Sequence, residues 1–294
     1  MSIQNPAVRI DRLVLPLKGT MYAVSVTVHE PAKVERSLVC LHGVAGNSHD
    51  FDILAQFLAR HGTRVICPDM IGRGRSGYAA NTAAYDVESY ARLLASVIGE
   101  YGAKNATLLG NGWGGLISLA LLSAANFELS GLILCNVPLH WTFAEDKAIH
   151  RAIAALETGF PDKESAIAYV LADPEFACLQ PGLAMKFAEH RIRQSGEGYL
   201  LNCDEQVAAS LRDFPIREFD FGRTLSDIDA EVLLLYSDML ANADQAELTP
   251  LLNRTRPVTV VDRFGEAADF HFTLPAQRLA ILGFLTTVVA ARQT

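Results

Sequence analysis

Thr107-Leu108-Leu109-Gly110-Asn111-Gly112-Trp113-Gly114-Gly115 reads as a buried strand, a sharp glycine turn and the start of a helix, with Gly112 at the apex. A turn of the G-x-S-x-G kind serves acyl transfer by lifting a serine hydroxyl into a pocket, where a histidine oriented by a carboxylate takes its proton. Here the turn is complete and its apex carries no side chain. Either the chain binds without turning over, or its chemistry falls to other groups. The same residues spell Gly110-x-Gly112-x-x-Gly115, the dinucleotide fingerprint. That fingerprint needs an acidic residue at the end of the next strand, about 20 residues on, to hold the ribose. The next strand ends Leu134-Cys135-Asn136-Val137-Pro138 without a carboxylate, and Trp113 would crowd the phosphate turn, so nucleotide binding is set aside.

The five cysteines offer no metal-ligand spacing, and Cys40, Cys67 and Cys135 each fall inside an apolar run. Buried, inert thiols in a reducing compartment are expected, with no metal and no cofactor. Because those three lie near strand ends that would face a pocket, a cysteine nucleophile stays open at this point.

The elements that position these groups follow from periodicity. Val8–Leu17 and Met21–His29 alternate apolar residues around Lys18-Gly19-Thr20, an antiparallel pair. From Ser37 onward, short apolar strands alternate with amphipathic stretches. Ser37–Leu41 leads to a helix at about 48–61, Arg64–Cys67 to one at about 84–100, and Ala106–Leu109 to one at about 113–124; Leu132–Cys135 follows. The pattern resumes with Glu231–Tyr236, a helix near 244–254, Val258–Val261 and a helix from Pro275 to about Ala291. Such alternation implies parallel strands joined by crossover helices. Residues 139–228 interrupt it with a helical pattern broken at Gly159-Phe160-Pro161, Asp173-Pro174 and Gly196-Glu197-Gly198. A helical insertion of that length between two core strands is expected to form a lid, leaving residues 1–138 and 229–294 as the core.

The order of elements, together with Leu41-His42-Gly43, Pro68-Asp69-Met70-Ile71-Gly72-Arg73-Gly74-Arg75-Ser76-Gly77 and the glycine elbow, resembles the α/β-hydrolase superfamily over nearly the whole chain. The resemblance implies an α/β fold with a mostly parallel central sheet flanked by helices, a helical cap, and a serine at the position of Gly112. It implies a histidine in a stretch that reads here Phe264-Gly265-Glu266-Ala267-Ala268-Asp269-Phe270-His271-Phe272-Thr273-Leu274-Pro275. Counting back from Pro275 puts Ala268 at that position, and counting from Gly265 puts Glu266 there. The acid maps near Asp238, with Asn136 at the alternative acid site. The triad is therefore expected to be degenerate at two separate positions.

What the resemblance leaves intact is made of backbone. Its oxyanion hole uses the N–H after the nucleophile and one from the loop following the His-Gly motif, which map onto Trp113 and Val44, with Gly43 beside them. His42 is expected to brace that loop from behind, and the Asp69–Arg75 segment to fix a second loop, with Arg73 or Arg75 able to reach an acid group. His271 is expected on the rim, between Phe270 and Phe272. Trp141, directly after the sheet, is a candidate to face a ligand.

Three functions follow as expectations. The first is a pseudoenzyme that binds a small carbonyl- or carboxylate-bearing molecule, or a protein partner. The second is a non-hydrolytic enzyme (lyase, cyclase or cofactor-free oxygenase) with His271, partnered by Glu266 or Asp238, or a carboxylate such as Glu266 itself as general base. The third is an atypical ester or C–C bond hydrolase. At 294 residues, half of them hydrophobic, the chain can bury a large core, and its net charge of −8 with no basic run argues against nucleic acid or an anionic membrane surface. The N-terminus shows no basic region followed by an apolar stretch, so a soluble, cytoplasmic protein is expected, and a homodimer is compatible with this reading.

Overall fold

The computed structural model describes residues 5–124, 129–137, 140–141, 147–212, 219–220, 225, 228, 230–235, 258–261 and 271–291. The chain opens with the hairpin β1 (Ala7–Leu17) and β2 (Thr20–Glu30), paired in register from Ala7↔Glu30 to Leu17↔Thr20. Its two-residue turn has Lys18 at φ +49° and Gly19 at φ +79°, the left-handed pair that matches the twist of the flanking strands. The core continues as β3 (Arg36–Leu41), α1 (Asp52–Ala59), β4 (Thr63–Pro68), α2 (Val87–Glu100), β5 (Thr107–Asn111), α3 (Trp113–Ala124) and β6 (Gly131–Cys135).

An insertion follows. It comprises β7 (His140–Trp141), α4 (Lys147–Leu156), α5 (Lys163–Leu171), α6 (Pro181–His190), β8 (Ile192–Ser195), β9 (Gly198–Leu201), α7 (Glu205–Arg212) and β10 (Phe219–Asp220). The core then resumes with β11 (Glu231–Leu235), β12 (Val258–Val261) and α8 (Pro275–Ala291).

The eight-stranded sheet runs β1-β2-β4-β3-β5-β6-β11-β12. Every pair from β4 to β12 is parallel, and β1 and β2 are antiparallel additions at one edge. Parallel strands covered on both faces should be apolar through their middles, and β3 to β6 and β11 are, with polar residues such as Arg36, Arg64 and Glu231 confined to the strand ends. Leu38, Cys40, Val65, Cys67, Leu109, Ile133 and Leu233 pack with α1 and α8, while Val39, Leu41, Ile66, Leu108, Leu132, Leu134 and Val232 pack on the opposite side with α2 and α3.

The expected crossover pattern is thus the observed one, and the predicted helix near 244–254 lies outside the described residues. The insertion differs from its sequence reading. Gly196-Glu197-Gly198 does not merely break helices: it turns the antiparallel hairpin β8–β9, with Gly196 at φ +59°. This hairpin ties the insertion to the core. Gly74 N–H donates to Asn202 O at 3.2 Å, Asp204 N–H donates to Gly72 O at 2.7 Å, and Arg73 bridges Cys203 between them.

Cys40, Cys67, Cys135 and Cys203 are buried. Burial pushes the Cys67 and Cys135 thiols well up and Cys203 to about 11. A thiol held protonated is a poor nucleophile, which counts against Cys67 and Cys135, and Cys40 is sealed in the core. No helix among the described residues is long and apolar enough to cross a membrane.

Candidate functional site

The site forms where β5 hands over to α3, at the C-terminal edge of the parallel strands, the usual place for ligands in such sheets. Gly112 sits at φ +52°, in the left-handed region; its N–H donates to Cys135 O at 2.9 Å and its carbonyl accepts from Gly115 N–H at 2.9 Å. The elbow is closely packed around it. A Cβ at Gly110 would lie 2.3 Å from Gly115 Cα, one at Gly114 would lie 2.3 Å from Leu41 O, and one at Gly115 would meet Val137 Cγ2 at 2.3 Å. At Gly112 a Cβ would meet no atom of the described residues within 4 Å. Contact therefore requires the three flanking glycines, whereas no described neighbour requires one at the apex, which carries no side chain.

Asn136, at the alternative acid site, also holds a positive φ of +53°, and its N–H donates to Leu235 O at 3.0 Å. A non-glycine residue in that region is a local strain of the kind found at binding sites.

On the neighbouring strand, the loop after β3 is held from behind. His42 is fully buried; Met70 N–H donates to its Nε2 at 3.0 Å, which leaves the proton on Nδ1 to donate to Gly43 O at 2.8 Å. Burial, with Arg73 and Arg191 nearby, pushes the His42 ring down to about 3, so it stays neutral. The bracing role expected for His42 is the one its bonds describe. The Val44 N–H donates to no described residue.

The Asp69–Arg75 segment fixes loops, as expected. Asp69 accepts from Ser48 N–H at 2.7 Å and from Arg75 N–H at 2.9 Å. Neither arginine reaches a described carboxylate. Arg73 is fully buried and donates to Val44 O at 2.9 Å, to Ile71 O at 3.2 Å and to the Tyr90 hydroxyl, while Arg75 contacts His49 Nε2 at 2.6 Å.

His271 is not on the rim. It is fully buried against two insertion rings, Phe187 at 4.3 Å and Phe176 at 5.2 Å, and burial together with Arg191 pushes it down to about 3. Its sequence neighbour Phe272 turns away at φ +55° to stack on Phe51. Trp141 lies in β7, paired with Phe219, which places its backbone at the base of the insertion. Asp238, Glu266 and Ala268 lie outside the described residues. The site thus brings together Gly112, Val44, Gly43, His42 and Trp113, the last being buried at the first position of α3.

Sequence reasoning missed the charged cluster where the insertion meets the loop. Arg191, at the end of α6, donates to Ala45 O at 2.7 Å and pairs with Asp50 at 2.9 Å and Glu175 at 3.3 Å. Burial raises Asp50, and burial with Asp50 and Asp173 raises Glu175 to about 7 against the pull of Arg191. No local pattern links these residues, so no motif could have found them. Among the described residues no group of three or more His, Cys, Asp or Glu could hold a metal.

A family model described as alpha/beta hydrolase fold matches residues 36–161. Over 102 residues, 35% of the chain, the sequence is 34% identical to the 3-hydroxybutyrate-oligomer hydrolase of Cupriavidus necator, a match covering 34% of that protein. Over 127 residues, 42% of the chain, it is 31% identical to the proline iminopeptidase of Lactobacillus delbrueckii subsp. lactis, covering 42% of it. The matches span less than half the length of these relatives. Among solved structures, an alpha/beta hydrolase from Novosphingobium aromaticivorans superposes with a TM-score of 0.73 at 19% identity, covering 94% of this chain and 98% of that one. The thioesterase domain from the curacin biosynthetic pathway gives 0.72 at 20% identity, with 95% and 99% covered. A serine-to-glycine variant of an N-acyl homoserine lactonase, complexed with N-hexanoyl homoserine lactone, gives 0.67 at 16% identity, with 96% and 98% covered. At these identities the structures establish the fold.

Proposed function

The chain is an α/β-hydrolase-fold protein, and from that premise we propose that it acts as a pseudoenzyme, holding a small carbonyl- or carboxylate-bearing molecule against the Val44 and Trp113 amides with residues 139–228 as its lid. The observation that carries this reading is Gly112, an apex against which no described atom would crowd a side chain and which has no atoms to supply a nucleophile. Backbone donors beside a helix N-terminus survive such a loss, because they do not depend on side chains. The glycine-bearing lactonase variant offers a parallel, since that protein was complexed with a lactone.

His271 serves poorly as a general base, because a ring held near 3 by burial and by Arg191 has little affinity for a proton at neutral pH. That counts against the lyase, cyclase or oxygenase reading in the form that uses His271 as its base. An atypical hydrolase is the reading left to exclude.

Turnover of p-nitrophenyl acetate tests the proposal. Binding and an oxyanion hole alone can leave a rate about 10³–10⁴ above water, so the criterion is dependence on a side chain and not a detectable rate. The expected result is slow turnover indifferent to His271→Ala, with esterase activity gained by the double variant Gly112→Ser, Ala268→His. Saturable turnover abolished by His271→Ala would overturn it.

A further inference from the structure

Three consecutive carbonyls of the loop after β3 are each held by a side chain. Gly43 O accepts from His42 Nδ1–H at 2.8 Å, Val44 O from Arg73 Nε–H at 2.9 Å, and Ala45 O from Arg191 Nη1–H at 2.7 Å. The described residues contain no cis peptide, and a trans peptide sets its N–H opposite its C=O. Pinning Gly43 O therefore aims the Val44 N–H the other way, and the loop cannot turn its donor without breaking these bonds.

The groups doing the holding are unusual in their charge. Arg73 is fully buried, makes no ion pair among the described residues, and leaves its Nη2 without a hydrogen-bond partner there. Its remaining contacts are neutral: two backbone carbonyls, the Tyr90 hydroxyl, and the Tyr90 ring 4.9 Å from Cζ. A buried cation without a counter-ion is costly, and such costs are retained where a ligand supplies the opposite charge. Arg191 adds a second buried guanidinium on the next carbonyl, shared with Asp50 and Glu175. The nearby imidazoles, His42 and His271, are both held neutral.

We propose that the ligand held at Val44 and Trp113 is an anion, a carboxylate, and that Arg73 from the core and Arg191 from the insertion are positioning residues that select it over a neutral molecule of the same shape. This rests on the reading of the site as a binding pocket given above. His42 sets the direction of the Val44 donor, the two guanidiniums fix the next two peptides of the same loop, and Arg73 adds positive potential behind it while Arg191 offsets the negative charge of Asp50. Because Arg191 caps the C-terminus of α6, the anion site is complete only when the insertion is docked on the core.

Acetate and acetamide, matched in shape and different in charge, form the test. The full-length ¹⁵N-labelled protein is titrated with each at constant ionic strength near neutral pH, reading the Val44, Ala45 and Trp113 amides. Acetate is expected to shift these amides saturably and acetamide to bind about tenfold more weakly. Arg191→Gln keeps a donor for Ala45 O and drops the charge, so acetate should weaken while acetamide does not change, and Arg191→Lys should restore the preference. Arg73→Met should reduce it likewise, and if that variant fails to fold, the Arg191 pair carries the test. Equal affinity for the two probes, or a preference indifferent to Arg191, overturns the anion assignment and leaves the pocket standing. Amides that respond to neither probe overturn the pocket itself.

Discussion

The His49 and His190 rings stack at 3.6 Å, within 8° of parallel, one from the core and one from the end of α6. The His49 Nε2 faces the Arg75 guanidinium at 2.6 Å and its Nδ1 faces Asp52 at 3.0 Å. Beside the stack, Asn47 Nδ2–H donates to His190 O at 2.9 Å. The seam between insertion and core is thus built on a stacked ring pair.

Acid should loosen this seam first. Burial, with His49 and the cations Arg75 and Lys186 nearby and Asp52 opposing them, pushes His190 from 6.5 down to about 4. A depressed histidine contributes stability that is present above 6.5 and is lost as pH falls toward 4. Hydrogen exchange at residues 181–204 should therefore accelerate between those limits before α2 or β5 responds. Uniform acceleration throughout the chain would count against it.

Gly112→Ser should fold. With no described atom within 4 Å of the new Cβ, the cost is the left-handed backbone alone, about 1–2 kcal/mol. Thermal or urea unfolding reads this directly, and a collapse of stability would mean that the apex is filled from elsewhere.

The neighbouring glycine behaves oppositely. Gly114→Ala drives a methyl to 2.3 Å from Leu41 O, a backbone atom that cannot swing aside, so the loss should reach about 3 kcal/mol or more. A variant as stable as Gly112→Ser would contradict the geometry of the elbow.

Glu175 sets a stability term of the opposite sign to His190. Burial, with Asp50 and Asp173, raises it from 4.5 to about 7 in spite of Arg191. A raised carboxyl contributes stability that is full below 4.5 and is lost as pH rises through 7. Glu175→Gln should accordingly match the parent near pH 5 and exceed it in melting temperature near pH 8; equal melting temperatures at both would refute the raised value.

The sheet was legible because its strands are short apolar runs bounded by turns, too short for a buried helix and of the length a covered parallel strand needs. The elbow was legible because its three flanking glycines are dictated by local contact. The hairpin Ile192–Leu201 was hidden: Ile192-Arg193-Gln194-Ser195 has no β-branched run, and its two glycines read equally as a helix break. His271 was misplaced because the rings that bury it, Phe176 and Phe187, come from the insertion, and adjacency to Phe270 and Phe272 in sequence says nothing of that. The Asp50–Arg191–Glu175 cluster has no local signature at all, since its members meet only after the insertion docks.

Three glycines of the elbow are fixed by their neighbours, and the apex glycine by none that is described. Codons for glycine and serine can differ by a single base. The apex is therefore the point in this joint where heredity can exchange reactivity for silence, or the reverse, without rebuilding the architecture that presents it.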